Sequence, residues 1–140
     1  MPLVKTTDLL ADCKQNHYAV GAFNITGLDQ PQALIRRAEE LGAPLIVVEP
    51  GVIEKYVNFE DFVAVTRRAA RDASIPVSIH LSHGLDLEQV ERAARAGFTS
   101  VMYDGSKFPF DENVANTQKA VAIGRRYGVA VEGELGALAS

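Results

Sequence analysis

The feature that most constrains this chain is a unit that repeats along it: a helical stripe, a glycine, a short turn, then an apolar run. The runs are "YAVGAF" (Tyr18 to Phe23), "PLIVVE" (Pro44 to Glu49), "PVSIHL" (Pro76 to Leu81), "TSVMYD" (Thr99 to Asp104) and "VAVEGEL" (Val129 to Leu135). Between them, Leu34, Ile35, Ala38 and Leu41 share one helical stripe, and Phe59, Phe62, Val63 and Ala70 share another. Val90, Ala93 and Ala94 precede Gly97, while Val114, Ala115, Ala122 and Ile123 precede Gly128. Gly42, Gly97 and Gly128 are therefore expected in the left-handed conformation that closes a helix. Strands apolar on both faces and separated by helices imply a parallel sheet covered by helices, an α/β fold.

Two architectures meet that description. A (β/α)8 barrel closes eight strands in typically ~250 residues, whereas a doubly wound open sheet is complete with about five strands. A length of 140 residues favours the open sheet. Against it, the pattern stops on its fifth strand, with only "GALAS" after Leu135 and no covering helix. No linker, low-complexity segment or charge block divides the chain, so residues 1–140 are expected to form a single domain.

Charge narrows the partners. With 18 acids against 14 bases and a net charge of -4, the chain offers no electrostatic case for nucleic acid or an anionic membrane. Cys13 is the only cysteine, which excludes an internal disulfide framework and suits a reducing cytoplasm. The first twenty residues lack the basic start and apolar core of a signal peptide, and no window approaches the ~20 apolar residues of a membrane span.

In either architecture, chemistry gathers at the carboxyl ends of the strands. Asn24 ends the first run, Glu49 the second, Ser82 and His83 follow the third, Asp104 and Ser106 the fourth, and Glu132 and Glu134 lie along the fifth. Taken singly, Asn24 and Asp104 read as capping or turn residues more readily than as ligands. Glu49, before Pro50-Gly51, reads as a solvated turn residue. His80 alternates away from Ile79 and Leu81 and reads as a satisfied structural histidine. His83 lies just past the strand end, where its imidazole is exposed to the mouth of the fold. Glu132 and Glu134 share one strand face, and burying such a pair without a cation or donor costs several kcal/mol. A metal or substrate role for the pair stands level with a structural one.

Taken together, "YAVGAFNI", "GAPLIVVE", "IHLSHG", "SVMYDGSKFPFDENV" and "VEGELG" resemble the class II, metal-dependent fructose-bisphosphate and tagatose-bisphosphate aldolases. The resemblance implies a (β/α)8 TIM barrel of which this chain covers about the first half, an N-terminal helix followed by β1 to β5. It makes His83 a zinc ligand, with the other two histidine ligands in the C-terminal half. It matches Asp104 and Glu134 to carboxylates of an alternative, buried metal position, and Asn24 to a residue near substrate. In that family zinc polarises the ketone of a ketose phosphate, and an aspartate beside the first histidine moves the proton of the hydroxyl that becomes the aldehyde. The implied cofactor is Zn2+, with another divalent metal or a monovalent cation as further options. The implied partners are a sugar phosphate and further copies of the chain, as a homo-oligomer (dimer or tetramer).

The sequence departs from that pattern at three places. The family pattern is "HLDHG", and this chain has Ser82 where the acid-base aspartate belongs. Lys107 stands where a histidine is common after "DGS", and Glu49-Pro50 replaces a more polar stretch. Two expectations follow: an aldolase of this class, or a catalytically impaired member or fragment that keeps a metal- or sugar-binding surface or serves as a partner subunit.

Overall fold

A computed structural model describes residues 3–136. Five parallel strands form one sheet in the order β1-β2-β3-β4-β5: Gly21–Asn24, Leu45–Pro50, Val77–Gly84, Ser100–Tyr103 and Ala130–Gly133. Helix α1 (Thr6–Asn16) precedes β1, and α2 (Gln30–Glu40), α3 (Phe59–Ala70), α4 (Leu87–Ala96) and α5 (Phe110–Tyr127) fill the crossovers. A short 3-10 turn, Gly51–Ile53, follows β2.

The strand order decides between the two architectures. A doubly wound sheet reverses direction at a switch point and carries helices on both faces. Here the strands run in sequence order, and residues of α2, α3, α4 and α5 enter one core with one face of the sheet. That is the topology of a barrel wall, and the open doubly wound sheet is set aside.

Local signals place the helices. Asn58 and Asp86 cap α3 and α4 by accepting from the backbone N–H of Asp61 and Gln89 at 2.8 and 2.7 Å. Gly42, Gly97 and Gly128 adopt φ of 61, 106 and 72°, as the helix-closing role requires. The main core joins Val47, Val77, Ile79, Leu81, Val101 and Tyr103 to the aromatic cluster of Phe59, Phe62 and Phe98. Phe98 meets Phe59 edge-on at 5.1 Å between centroids.

The other face of the sheet is different, and it corrects the expectation of strands apolar on both faces. Only β2 fits it, with Leu45, Ile46, Val47 and Val48 all buried. On β3 to β5 the residues facing away from the helices include Ser78, His80, Ser82, Ser100 and Glu132. Helix α1 covers the foot of this inner face: Leu9 packs on Ile46 and Val48, and the Thr6 hydroxyl lies 2.6 Å from that of Ser78. No described helix is long and apolar enough to cross a membrane.

Candidate functional site

The site begins with an irregularity in β3. Strict alternation from Ser78 and His80 would place Ser82 inward and send His83 toward the helices. Instead the register against β4 shifts between Leu81 and Gly84, and His83 takes a left-handed φ of 51°. Such a bulge re-aims a side chain, here at a backbone cost of roughly 1–2 kcal/mol. As a result Ser82 and His83, adjacent in sequence, line the same cavity on the inner face. Gly84 completes the device, because a Cβ there would lie 2.3 Å from the carbonyl oxygen of Met102. The strand thus runs through Gly84 and does not end at Leu81. It is the bulge that frees the imidazole, and the expected strand end is corrected.

His83 Nδ1 lies 2.9 Å from Asp104 Oδ2 and 3.2 Å from Glu134 Oε2. One ligand atom from each of the three residues falls within 4.8 Å of the others. Asp104 is aimed by its second oxygen: Oδ1 accepts from the N–H and the hydroxyl of Ser106 at 3.0 and 2.6 Å, leaving Oδ2 for His83. Burial pushes the Asp104 carboxyl up, but the hydrogen bonds from Ser106 and His83 outweigh it and hold the group below the ordinary value.

Glu134 lies one residue past the end of β5 and is fixed from α5. The side chain of Asn113, itself buried, donates to the Glu134 carbonyl oxygen at 2.7 Å and accepts from Thr117 at 3.1 Å. Glu134 Oε2 is buried and makes no hydrogen bond, so its 3.2 Å approach to His83 is an electrostatic contact and not an aligned bond. An orphaned carboxylate oxygen beside a second carboxylate and an imidazole nitrogen is a donor set suited to a divalent cation, Zn2+ among them.

The cavity above this cluster has a volume of about 430 Å3. Asn24, exposed at the end of β1, lines it across the sheet, and His80 and Glu132 line its floor and wall. His80 is buried, with Nδ1 2.7 Å from the Ser100 hydroxyl. Burial, and then the neighbouring charge of His83, depress its pKa to about 4, so the ring is neutral. The structural reading of His80 holds at Nδ1, yet its Nε2 also reaches 3.4 Å from Glu132 Oε2.

Glu49 corrects another expectation. It is not solvated at a turn but 0% exposed. Alternation puts it on the helix-covered side with Leu45 and Val47. Neither carboxyl oxygen has a hydrogen-bond partner, and burial together with the charge of Glu54 pushes its pKa up to about 8.

Sequence reasoning named the cluster but missed two supports. Asn113 reads as one polar residue of a helix, and nothing local links it to Glu134, 21 positions away. Ser100 was legible in principle, since period-2 alternation puts it on the face of Met102 and opposite His80.

Comparison with known proteins bears on the family and the fold. A model of the family "Fructose-bisphosphate aldolase class-II" matches residues 4–140. A fructose-bisphosphate aldolase of Staphylococcus aureus is 44% identical over 97% of this chain and 49% of its own length. That of Staphylococcus epidermidis is 42% identical over the same shares. The crystal structure of the YdjI aldolase from Escherichia coli K12 superposes with a TM-score of 0.88 and 33% identity, covering 96% of this chain and 51% of that one. A fructose-bisphosphate aldolase from Campylobacter jejuni, at 21% identity and a TM-score of 0.81, supports the fold alone. The chain spans about half the length of the curated relatives it matches.

Proposed function

The chain belongs to the class-II fructose-bisphosphate aldolase family, and from that premise we propose that it supplies the N-terminal half of a metal-dependent aldolase. The reaction is reversible cleavage of a phosphorylated ketose, such as fructose or tagatose bisphosphate, into dihydroxyacetone phosphate and an aldehyde. One observation carries the reading: the β3 bulge turns His83 inward to meet Asp104 and Glu134, with ligand atoms within 4.8 Å of one another.

His83, Asp104 and Glu134 would hold the cation, for which Zn2+ fits the mixed nitrogen and oxygen donors. When bound, it supplies Lewis acidity toward a ketone oxygen. Ser106 holds the Asp104 carboxylate, and Asn113 holds the Glu134 backbone, in place before any ion arrives. Asn24 offers its amide to the substrate from across the cavity. Ser82 stands at the position of the family's acid-base aspartate. Its hydroxyl can donate or accept a hydrogen bond with a substrate hydroxyl, but it has no proton affinity useful near neutral pH, so proton transfer from this position is weak. The setting consistent with this reading is the cytoplasm, with the protein a homo-oligomer.

Release of dihydroxyacetone phosphate from fructose 1,6-bisphosphate, followed with zinc and with a chelator in a polypeptide carrying all the strands of the barrel, tests the proposal. Cleavage that needs the metal is expected. Cleavage at an undiminished rate after chelation contradicts it.

A further inference from the structure

His80 and Ser100 are not used by the proposed metal site, yet they stand in line beneath Glu132. His80 and Ser100 are direct cross-strand partners on β3 and β4, and both are buried, at 6% and 2% exposure. The Ser100 hydroxyl sits 2.7 Å from His80 Nδ1. On the far side of the ring, Nε2 sits 3.4 Å from Glu132 Oε2. A neutral imidazole carries one N–H, and the nitrogen without it presents a lone pair. A lone pair facing the Glu132 carboxylate would be repulsive, so the proton belongs on Nε2. Nδ1 then accepts from the Ser100 hydroxyl, which satisfies both buried groups at once.

The other groups around the ring agree with this assignment. His83 lies close enough to disfavour a second proton on His80, and the ring is depressed to a pKa of about 4 by burial and by that neighbour. Glu134 is engaged with His83 and not with His80. Glu132 itself is open to the cavity, its side chain 56% exposed. Only one of its oxygens is taken by the imidazole.

We propose that His80 is a positioning residue, locked as the Nε2–H tautomer by Ser100, which holds one oxygen of Glu132 so that the other serves the cavity as an acceptor for a ligand hydroxyl. The acceptor role deepens the aldolase reading and rests on it, because it assigns a polyhydroxylated sugar phosphate to the space beside Ser82. The tautomer lock does not rest on it.

Nitrogen NMR of the histidine-labelled chain tests both parts. The chain has three histidines, His17, His80 and His83, and His80→Gln supplies the assignment. We expect His80 to show the Nε2–H tautomer unchanged between about pH 5 and 8, the span in which an ordinary histidine titrates. Glu132→Gln should shift the Nε2 signal, and Ser100→Ala the Nδ1 signal. An Nδ1–H tautomer, or an Nε2 signal indifferent to Glu132→Gln, overturns the lock. Dihydroxyacetone phosphate is then added to the zinc-loaded chain. Movement of the His80 Nε2 signal that disappears in Glu132→Gln supports the acceptor role. A ligand that moves His83 and leaves His80 still overturns it. If the probe moves neither signal, the acceptor role is overturned, while the substrate reading is judged by cleavage in the whole barrel and the tautomer result stands by itself. Zinc affinity in His80→Gln should stay within about twofold, since His80 touches none of the three donors; a loss of tenfold or more, about 1.4 kcal/mol, would mean that it acts on the metal cluster instead.

Discussion

The two faces of this sheet solve the problem of a polar side chain in opposite ways. On the inner face the polar groups answer one another: Thr6 to Ser78 at 2.6 Å, Ser78 to Thr99 at 3.0 Å, His80 to Ser100 at 2.7 Å. On the helix-covered face almost everything is aliphatic or aromatic, and two of the exceptions are left alone while Gln89 and Asn113 are hydrogen-bonded. Glu49 and Thr66 are both 0% exposed, and neither finds a hydrogen-bond partner. A polar residue on a strand therefore says little until its cross-strand neighbour is known. Where a partner exists the group can be kept for chemistry, and a fully buried carboxyl with neither oxygen partnered, such as Glu49, favours its neutral form.

That contrast gives the faces opposite pH dependence. Glu49, raised to about 8 in the fold, contributes stability that is complete below the unfolded value of 4.5 and is lost as pH rises toward 8. His80, depressed to about 4 from 6.5, contributes stability that is complete above 6.5 and is lost as pH falls toward 4. From 4.5 to 6.5 the two slopes oppose each other, so unfolding free energy should be nearly level there. Above that plateau, of these two groups only Glu49 acts, and stability should fall by up to about 1.4 kcal/mol per pH unit, or roughly fifteenfold in the folding equilibrium by pH 8. Urea unfolding of wild type and Glu49→Leu across this range checks it. The variant should stay flat from pH 6.5 to 8, whereas a parallel decline in both would remove Glu49 as the cause.

A smaller effect is expected from the inner face. Ser82→Asp in a polypeptide carrying the whole barrel should raise the rate of ketose cleavage by at least about tenfold, since acid-base terms are typically worth ~10²–10⁴. An unchanged rate would deny this position its acid-base role. Smallest is Thr6→Val, which removes one hydrogen bond at the foot of the inner face while Ser78 keeps Thr99. Denaturation should register about 1 kcal/mol, roughly fivefold in the equilibrium. A loss several times larger would mean that α1 is held by more than this bond and the packing of Leu9.

Much of this was legible in the sequence, because it depends on spacing. The five strands, the helices between them and the glycines that close them follow from periodicity, although β1 starts at Gly21 and not at Tyr18. His83, Asp104 and Glu134 were named from their places at strand ends and from the family resemblance. The bulge was not legible, because a register shift depends on how β3 meets β4, and Gly84 reads as an ordinary turn glycine until Met102 is seen against it. Glu49 was misread for a related reason. Pro50-Gly51 does turn the chain, but the turn folds back against α4, where Gln89 donates to the Gly51 carbonyl at 2.8 Å, and Glu49 is sealed beneath. Burial of that kind is decided by the crossover that lands on top.

The bulge in β3 is what would bring His83 to Asp104 and Glu134 as a metal site. Calorimetric titration of the chain with zinc, beside His83→Ala and Glu134→Gln, tests it most directly. Even outer-shell partners of a metal typically change affinity by 10–100-fold, so removing His83 should cost more than about a hundredfold. One ion per chain, with affinity collapsing in both variants, is the predicted result. Zinc binding that is equally tight in all three proteins would contradict the claim.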